Sequence, residues 1–322
     1  MARRPSFFCT LALLALCLAA CGGGDDGRPT VRIALDFTPN AAHAPIFAAA
    51  HDPHHEGARI DIRQPSASTD SLKLLATGRA DLAVLDIHDL GLARERGEDL
   101  VGVGVLVNRQ LAAVIARSGV RRPRDLEGKR VGVTGLPSDE AVLRAVVEGD
   151  GGRFDRVGRV TIGFTAVPSL VAKKVDAVTA FWNVEGVTLK RRGVPIREFR
   201  LDARGRRYPE LVFVTTRAKL RSERDLLEST MNTIRDGAGR AAADPGPVIA
   251  DVAKAGETDP ALVRAELKAI RPGIVTAPRL FPNALSNWAR FDVRYGILKR
   301  PPDLRRTFEP LVRYGVARGP SD

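Results

Sequence analysis

Short β-branched runs, each closed by a polar or glycine-bearing turn and followed by a helical stretch, recur from residue 30 to about residue 216, and this rhythm constrains the fold most. A strand that is always followed by a helix returns across the sheet, so the expected class is α/β with open sheets. Val31 to Asp36 reads as a strand, Phe37-Thr38-Pro39-Asn40 as a turn, and Asn40 as the cap of a helix to about Ala50. Ser71 to Thr77 reads as a helix stopped by Gly78, and Asp81 to Leu85 as the next strand. Asp86-Ile87-His88-Asp89 opens a helix that Gly97 ends. Leu100 to Val107 and Val114 to Ala116 are strands, and Gly119 to Pro123 is a polar, proline-containing crossover. Asp125 to Val133 reads as helix turn, glycine turn and strand, and Ser138 is placed to cap a helix from Asp139 to Glu148. Val160 to Gly163, Val175 to Ala180, Ile196 to Phe199 and Leu211 to Thr215 supply the remaining strands.

From Ser222 onward the pattern is helical, broken by Pro245, Pro247, Pro260, Pro272 and Pro301-Pro302. The layout predicts one lobe built from residues 30–115 and 214–322, an inserted lobe from 116–213, and a cleft between them. Ligands of open α/β sheets sit beyond the carboxyl ends of the strands, which is where recognition residues are expected.

Ahead of this body stand Arg3 and Arg4, an apolar stretch from Phe7 to Ala20, and Leu18-Ala19-Ala20-Cys21 followed by Gly22. The apolar run is too short to span a bilayer and leads directly into small residues, as in an export signal. Leu-Ala-Ala-Cys resembles a bacterial lipobox, which implies acylation of the Cys21 thiol and residues 1–21 as a leader. Residues 22–29, rich in glycine and aspartate, read as a flexible tether. Arg3-Arg4 hints at twin-arginine export, but the residues that follow fit the general secretory route better. Cys9, Cys17 and Cys21 are the three cysteines of the chain, so thiolate metal ligation and thiol catalysis are not expected in the body. The net charge of +12 comes mostly from arginines interleaved with acids. Together with the export signal, it points to a solvated surface facing an anionic membrane and not to a nucleic-acid groove.

Three segments follow strands and carry the chemistry of a binding site. Leu35-Asp36-Phe37-Thr38-Pro39-Asn40 with His43, and Phe181-Trp182-Asn183-Val184-Glu185-Gly186, combine aromatic faces, carboxyls and amides. A flat heteroaromatic ring with donors and acceptors around its edge needs that combination: a ring to stack on, and carboxyls and amides for its polar edge. The expected ligand-binding set is Asp36, Phe37, Asn40, His43, Asp86, Thr134, Ser138, Trp182, Asn183 and Glu185. Thr134 and Ser138 come from Gly132 to Glu140, where a helix N-terminus follows a strand. Each also has a plain structural use, Asn40 as a cap, His43 as a hydrogen-bonded residue, Phe37 and Trp182 as core aromatics. His51, His54 and His55, with Asp52 and Glu56, are split by Pro53 and are not expected to hold a metal.

The first two segments, in this order, resemble the family of thiamine-pyrimidine-precursor binding and synthesis proteins, and the similarity runs from residue 31 to about 240. The resemblance implies a two-lobed type II periplasmic-binding fold, each lobe a sheet flanked by helices. It further implies a monomeric solute-binding lipoprotein on the extracytoplasmic face of the membrane, delivering a pyrimidine to an ABC permease and its ATPase. No cofactor and no catalytic residue are expected. Binders of riboflavin, sulfonate or nitrate share the fold and are the alternatives. Pyrimidine synthases are a further one; in these a histidine of the first motif belongs to the active site, and a cysteine-rich segment is present that this body lacks.

Overall fold

The computed structural model describes residues 27–52, 57–67, 69–201, 207–274 and 280–312. Cys21 and its leader, and His54, His55 and Glu56, lie outside these residues. The described strands form two five-stranded sheets. In the first, β1 (Thr30–Ala34) pairs in parallel with β2 (Arg59–Arg63) and β3 (Leu82–Asp86). There β10 (Leu211–Thr216) runs antiparallel between β3 and β4 (Leu100–Val107), giving the order β2-β1-β3-β10-β4.

The second sheet repeats the scheme. Its strands are β5 (Ala112–Arg117), β6 (Arg130–Val133), β7 (Gly158–Thr161), β8 (Ala177–Phe181) and β9 (Ile196–Arg200). Their order is β7-β6-β8-β5-β9, with β6 parallel to its neighbours and β5 antiparallel to both of its own. The chain therefore passes between sheets at 108–111 and again within 201–210. The expected divisions at 115/116 and 213/214 cut through β5 and β10, which are hydrogen-bonded whole into the second and first sheet.

The strand β2 carries no apolar run and escapes a reading by composition. Arg59-Ile60-Asp61-Ile62-Arg63 is an edge strand whose ladder to β1 holds it while its charged residues face water. The helix α1 (Ala44–Ala50) follows a 3-10 turn, Ala41–His43, that Asn40 caps by accepting the Ala42 N–H at 2.9 Å. Then come α2 (Asp70–Ala76), α3 (Ile87–Glu95) and α4 (Pro137–Glu148). Ser138 does not cap α4: Pro137 occupies the first helical position, where a missing N–H costs nothing, so Ser138 lies inside the first turn.

After α5 (Ala166–Val171), a single π-helical turn, Trp182–Gly186, leads into α6 (Val187–Arg191). The C-terminal region is helical as expected: α7 (Arg217–Ser222), α8 (Arg224–Ala243), α9 (Pro245–Ala255), α10 (Pro260–Ile270), α11 (Pro282–Arg294) and α12 (Leu304–Thr307). Three of them begin on a proline for the reason given for α4.

The main core joins Val31, Ile33 and Phe47 to Met231 and Ile234 of α8, and continues through Val263 and Ile270 of α10 to Trp182, Leu189 and Ile115. Thus α10 ties the first sheet's lobe to the π-turn of the other. Separate clusters fill the outer faces, around Trp288 and Phe308 in the first lobe and around Val131, Val142 and Val146 in the second. No helix of the described residues is long and apolar enough to cross a membrane.

Candidate functional site

The carboxyl ends of β1, β3, β6, β7 and β8 converge on one cavity, partly open to solvent. Its wall is Asp36 and Phe37 after β1; Leu85, Asp86 and Asp89 at the end of β3 and the start of α3; and Ser71 of α2. From the second sheet come Thr134, Leu136, Ser138 and Asp139 around the start of α4, Gly163 and Phe164 after β7, and Thr179, Ala180, Phe181 and Glu185 from β8 and the π-turn. Both lobes contribute, as the end-of-strand rule requires.

The wall is aromatic and acidic. The Phe37 ring meets Phe164 edge-on at 4.5 Å between centroids and Phe181 at 6.1 Å, so a first-lobe ring touches two second-lobe rings across the cleft. Asp36 is held from behind: the Asn40 N–H donates to His43 Nδ1 at 3.2 Å, which leaves the His43 Nε2–H to donate to Asp36 Oδ1 at 2.9 Å. Glu185 Oε2 accepts the Phe181 N–H at 3.1 Å, a closure of the π-turn on itself. Asp139 Oδ2 accepts the Thr134 N–H at 2.6 Å and the Thr134 hydroxyl as well.

Withdrawal from water raises four acids of the wall, Glu185, Asp86, Asp89 and Asp139. Burial pushes Glu185 up to about 7, and pushes Asp86 up to about 8 with the Glu210 charge adding to it and His88 opposing. Burial lifts Asp89 well above the usual carboxylate range and raises Asp139. Behind Asp86, His88 is paired with Asp292, and although burial opposes it, the surrounding carboxylates raise its imidazole to about 10. Clefts with several displaced titrations are where function concentrates.

Of the expected set, Asp36, Phe37, Asp86, Thr134, Ser138 and Glu185 stand in the cavity wall. The other four do not. Asn40 caps its turn and His43 supports Asp36 from the core. Trp182 is 2 % exposed and points away from the cavity, its indole N–H on the Gln110 carbonyl at 2.9 Å and the Arg200 guanidinium 3.8 Å over its ring. Asn183 is fully buried, and its amide atoms have no hydrogen-bond partner among the described residues. The π-turn explains this: its wider winding turns Glu185 to the cavity and Trp182 and Asn183 inward.

Asp89, Asp139, Phe164 and Phe181 were not in that set. Each lies within a few residues of a strand end, and Asp89 is one helical turn from Asp86 on α3, so position relative to the strands was the available signal. In the histidine-rich stretch, His51 pairs with Asp251 at 2.8 Å and Asp52 with Arg240 at 3.0 Å; among the described residues no group of acids, histidines or cysteines is arranged to hold a metal.

Residues 40–247 match the family described as NMT1/THI5 like, well over half of the chain. The chain belongs to the NMT1/THI5-like family. Among its relatives, the formylaminopyrimidine-binding protein of Halalkalibacterium halodurans is 32 % identical over 228 residues, 69 % of either chain. A 4-amino-5-hydroxymethyl-2-methylpyrimidine phosphate synthase of Uromyces fabae is 25 % identical over 166 residues, and the match spans about half of its length, 48 %. The relatives of this chain thus include proteins named as binding proteins and as synthases. Among solved structures, the alkanesulfonate-binding protein SsuA from Xanthomonas axonopodis pv. citri bound to MOPS superposes with a TM-score of 0.72 at 19 % identity, over 88 % of this chain and 99 % of that one. That likeness establishes the two-lobed periplasmic-binding fold for this NMT1/THI5-like chain.

Proposed function

We propose that this protein is a solute-binding component of an ABC importer, and that its solute is an aminopyrimidine precursor of thiamine. The observation that carries the reading is the cavity wall: three phenylalanine rings and five carboxyl groups, contributed by both lobes, with no Lys, Arg or His among the lining residues. A planar ring stacks on the phenylalanines while the carboxyls accept from its exocyclic amine and ring nitrogen. A sulfonate or nitrate fits poorly, because an anion buried beside carboxylates has nothing to offset its lost hydration. The fold is shared with sulfonate binders, but the fold alone does not choose the ligand.

In this reading the solute bridges the two lobes, closure of the lobes over it excludes water, and the closed form docks on a permease whose ATPase supplies the energy. The protein acts as a monomer and breaks no bond. The Leu18-Ala19-Ala20-Cys21 segment supports attachment to the outer face of the membrane through an acylated Cys21.

The test is a thermal-shift and calorimetry screen of the purified chain against aminopyrimidines, riboflavin, taurine and nitrate. At a hundred times its dissociation constant a true ligand stabilises the protein by about 2.7 kcal/mol. Selective stabilisation by a hydroxymethyl- or formylaminomethyl-pyrimidine is expected. Stabilisation by taurine or riboflavin alone removes the pyrimidine assignment.

A further inference from the structure

The charge inside the cavity is one-sided. The groups able to carry positive charge near the wall are already committed: His43 donates to Asp36, His88 is paired with Asp292, and Arg96 acts on Asp89 only through space. Glu185 is 9 % exposed, gives one oxygen to the Phe181 N–H, and has no side-chain partner among the described residues. Asp89, one turn along α3 from Asp86, makes no side-chain hydrogen bond or ion pair among those residues. The groups facing these acids from neighbouring elements are mostly acids too: Asp139 and Glu266 for Glu185, and Asp86 and Asp139 for Asp89. Phe37, Phe164 and Phe181 surround the same space, and aromatic faces attract cations.

We infer that the cavity takes its solute as a protonated heteroaromatic cation, neutralised by Glu185 and Asp89 against the three phenylalanine rings, and rejects the same solute when it carries a phosphate. The identity of the ring rests on the proposed function; the charge does not. Desolvation raises Glu185 to about 7, Asp86 to about 8 and Asp89 well above the usual carboxylate range, so carboxyl protons are available near neutrality while the cavity is empty. On binding, a carboxyl O–H proton passes to the ring nitrogen, leaving a carboxylate against a pyrimidinium. A neutral aminopyrimidine therefore binds without net exchange of protons with the buffer. A ligand that is cationic beforehand expels about one proton per site.

Calorimetry with the purified full chain at neutral pH, in two buffers of different ionisation enthalpy, tests this with three probes: 4-amino-5-hydroxymethyl-2-methylpyrimidine, its monophosphate ester, and benzamidinium. The ester is expected to bind at least about 100-fold more weakly than the alcohol. Benzamidinium is expected to release a proton. The variants Glu185→Gln and Asp89→Asn narrow the gap between ester and alcohol by weakening the alcohol. An ester within tenfold of the alcohol overturns the inference and leaves the pyrimidine reading standing. Benzamidinium binding with proton release, without binding of the pyrimidine, does the reverse. Binding of taurine or nitrate alone overturns both.

Discussion

Glu185 is the residue on which sequence, fold and chemistry meet. Its folded pKa of about 7 lies above the ordinary 4.5, so the folded protein holds more protons than the unfolded chain between those values. The stability it contributes is fully present below 4.5 and is lost as pH rises through 7; Asp86 and Glu210, raised to about 8 and about 7, act in the same direction. The ligand-free protein is expected to lose about 3 kcal/mol from Glu185 over that window. Melting temperatures measured from pH 4.5 to 8 should show a smaller decline for Glu185→Gln, and a parallel decline in the two proteins would refute the assignment. Trp182, with the Arg200 and Arg109 guanidiniums 3.8 and 4.8 Å from its ring and its N–H on the Gln110 carbonyl, belongs to the core. Trp182→Ala is therefore expected to cost about 3–5 kcal/mol of folding stability, read by urea denaturation.

Among the elements, the contact of α1 with α8 fixes the base on which the Asp36 turn rests. It depends on Gly237: a Cβ there would lie 2.5 Å from the Pro45 carbonyl oxygen and 2.8 Å from the Ala49 nitrogen. Main-chain atoms cannot rotate out of the way as a side-chain end can. Gly237→Ala is expected to destabilise by about 3 kcal/mol despite the better helix propensity of alanine, and a neutral result in equilibrium unfolding would contradict the packing. By contrast Gly239, two residues on, has open space at its Cβ position and serves as the control.

Across the whole molecule, two of the contacts between the lobes among the described residues bear on the cavity. One is the α10 contact with the π-turn, where α10 lies against Trp182 and Leu189 while its Glu266 accepts the Ala41 N–H of its own lobe at 3.3 Å. The other is the Phe37 contact with Phe164 and Phe181 at the cavity itself. The second is small and separates without breaking a main-chain hydrogen bond, as a closing contact must. Phe164→Ala is expected to speed ligand release about tenfold with little change in association, since contacts made on closure act on dissociation. Stopped-flow measurement of both rates checks it; an effect confined to association would place Phe164 outside the closing contact.

Residue pattern alone was enough for the alternating α/β class, most strand positions, the helical C-terminal third and the strand ends that carry the site. These follow from local chemistry: β-branched runs, glycine turns such as Gly78 and Gly97 with φ of +67° and +93°, and prolines at helix starts act within a few residues. That is why Asp36, Phe37, Asp86 and Glu185 were legible. Direction and depth were not. The π-turn that sends Trp182 inward and Glu185 to the cavity, the edge strand β2 held by its ladder to β1 and by the core under Ile60, and the meeting of Phe37 with Phe164 each depend on partners distant in sequence. The acidity of the cavity was likewise a tertiary decision, because Asp89 and Asp139 become part of one site only when two lobes bring their strand ends together and remove the water between them.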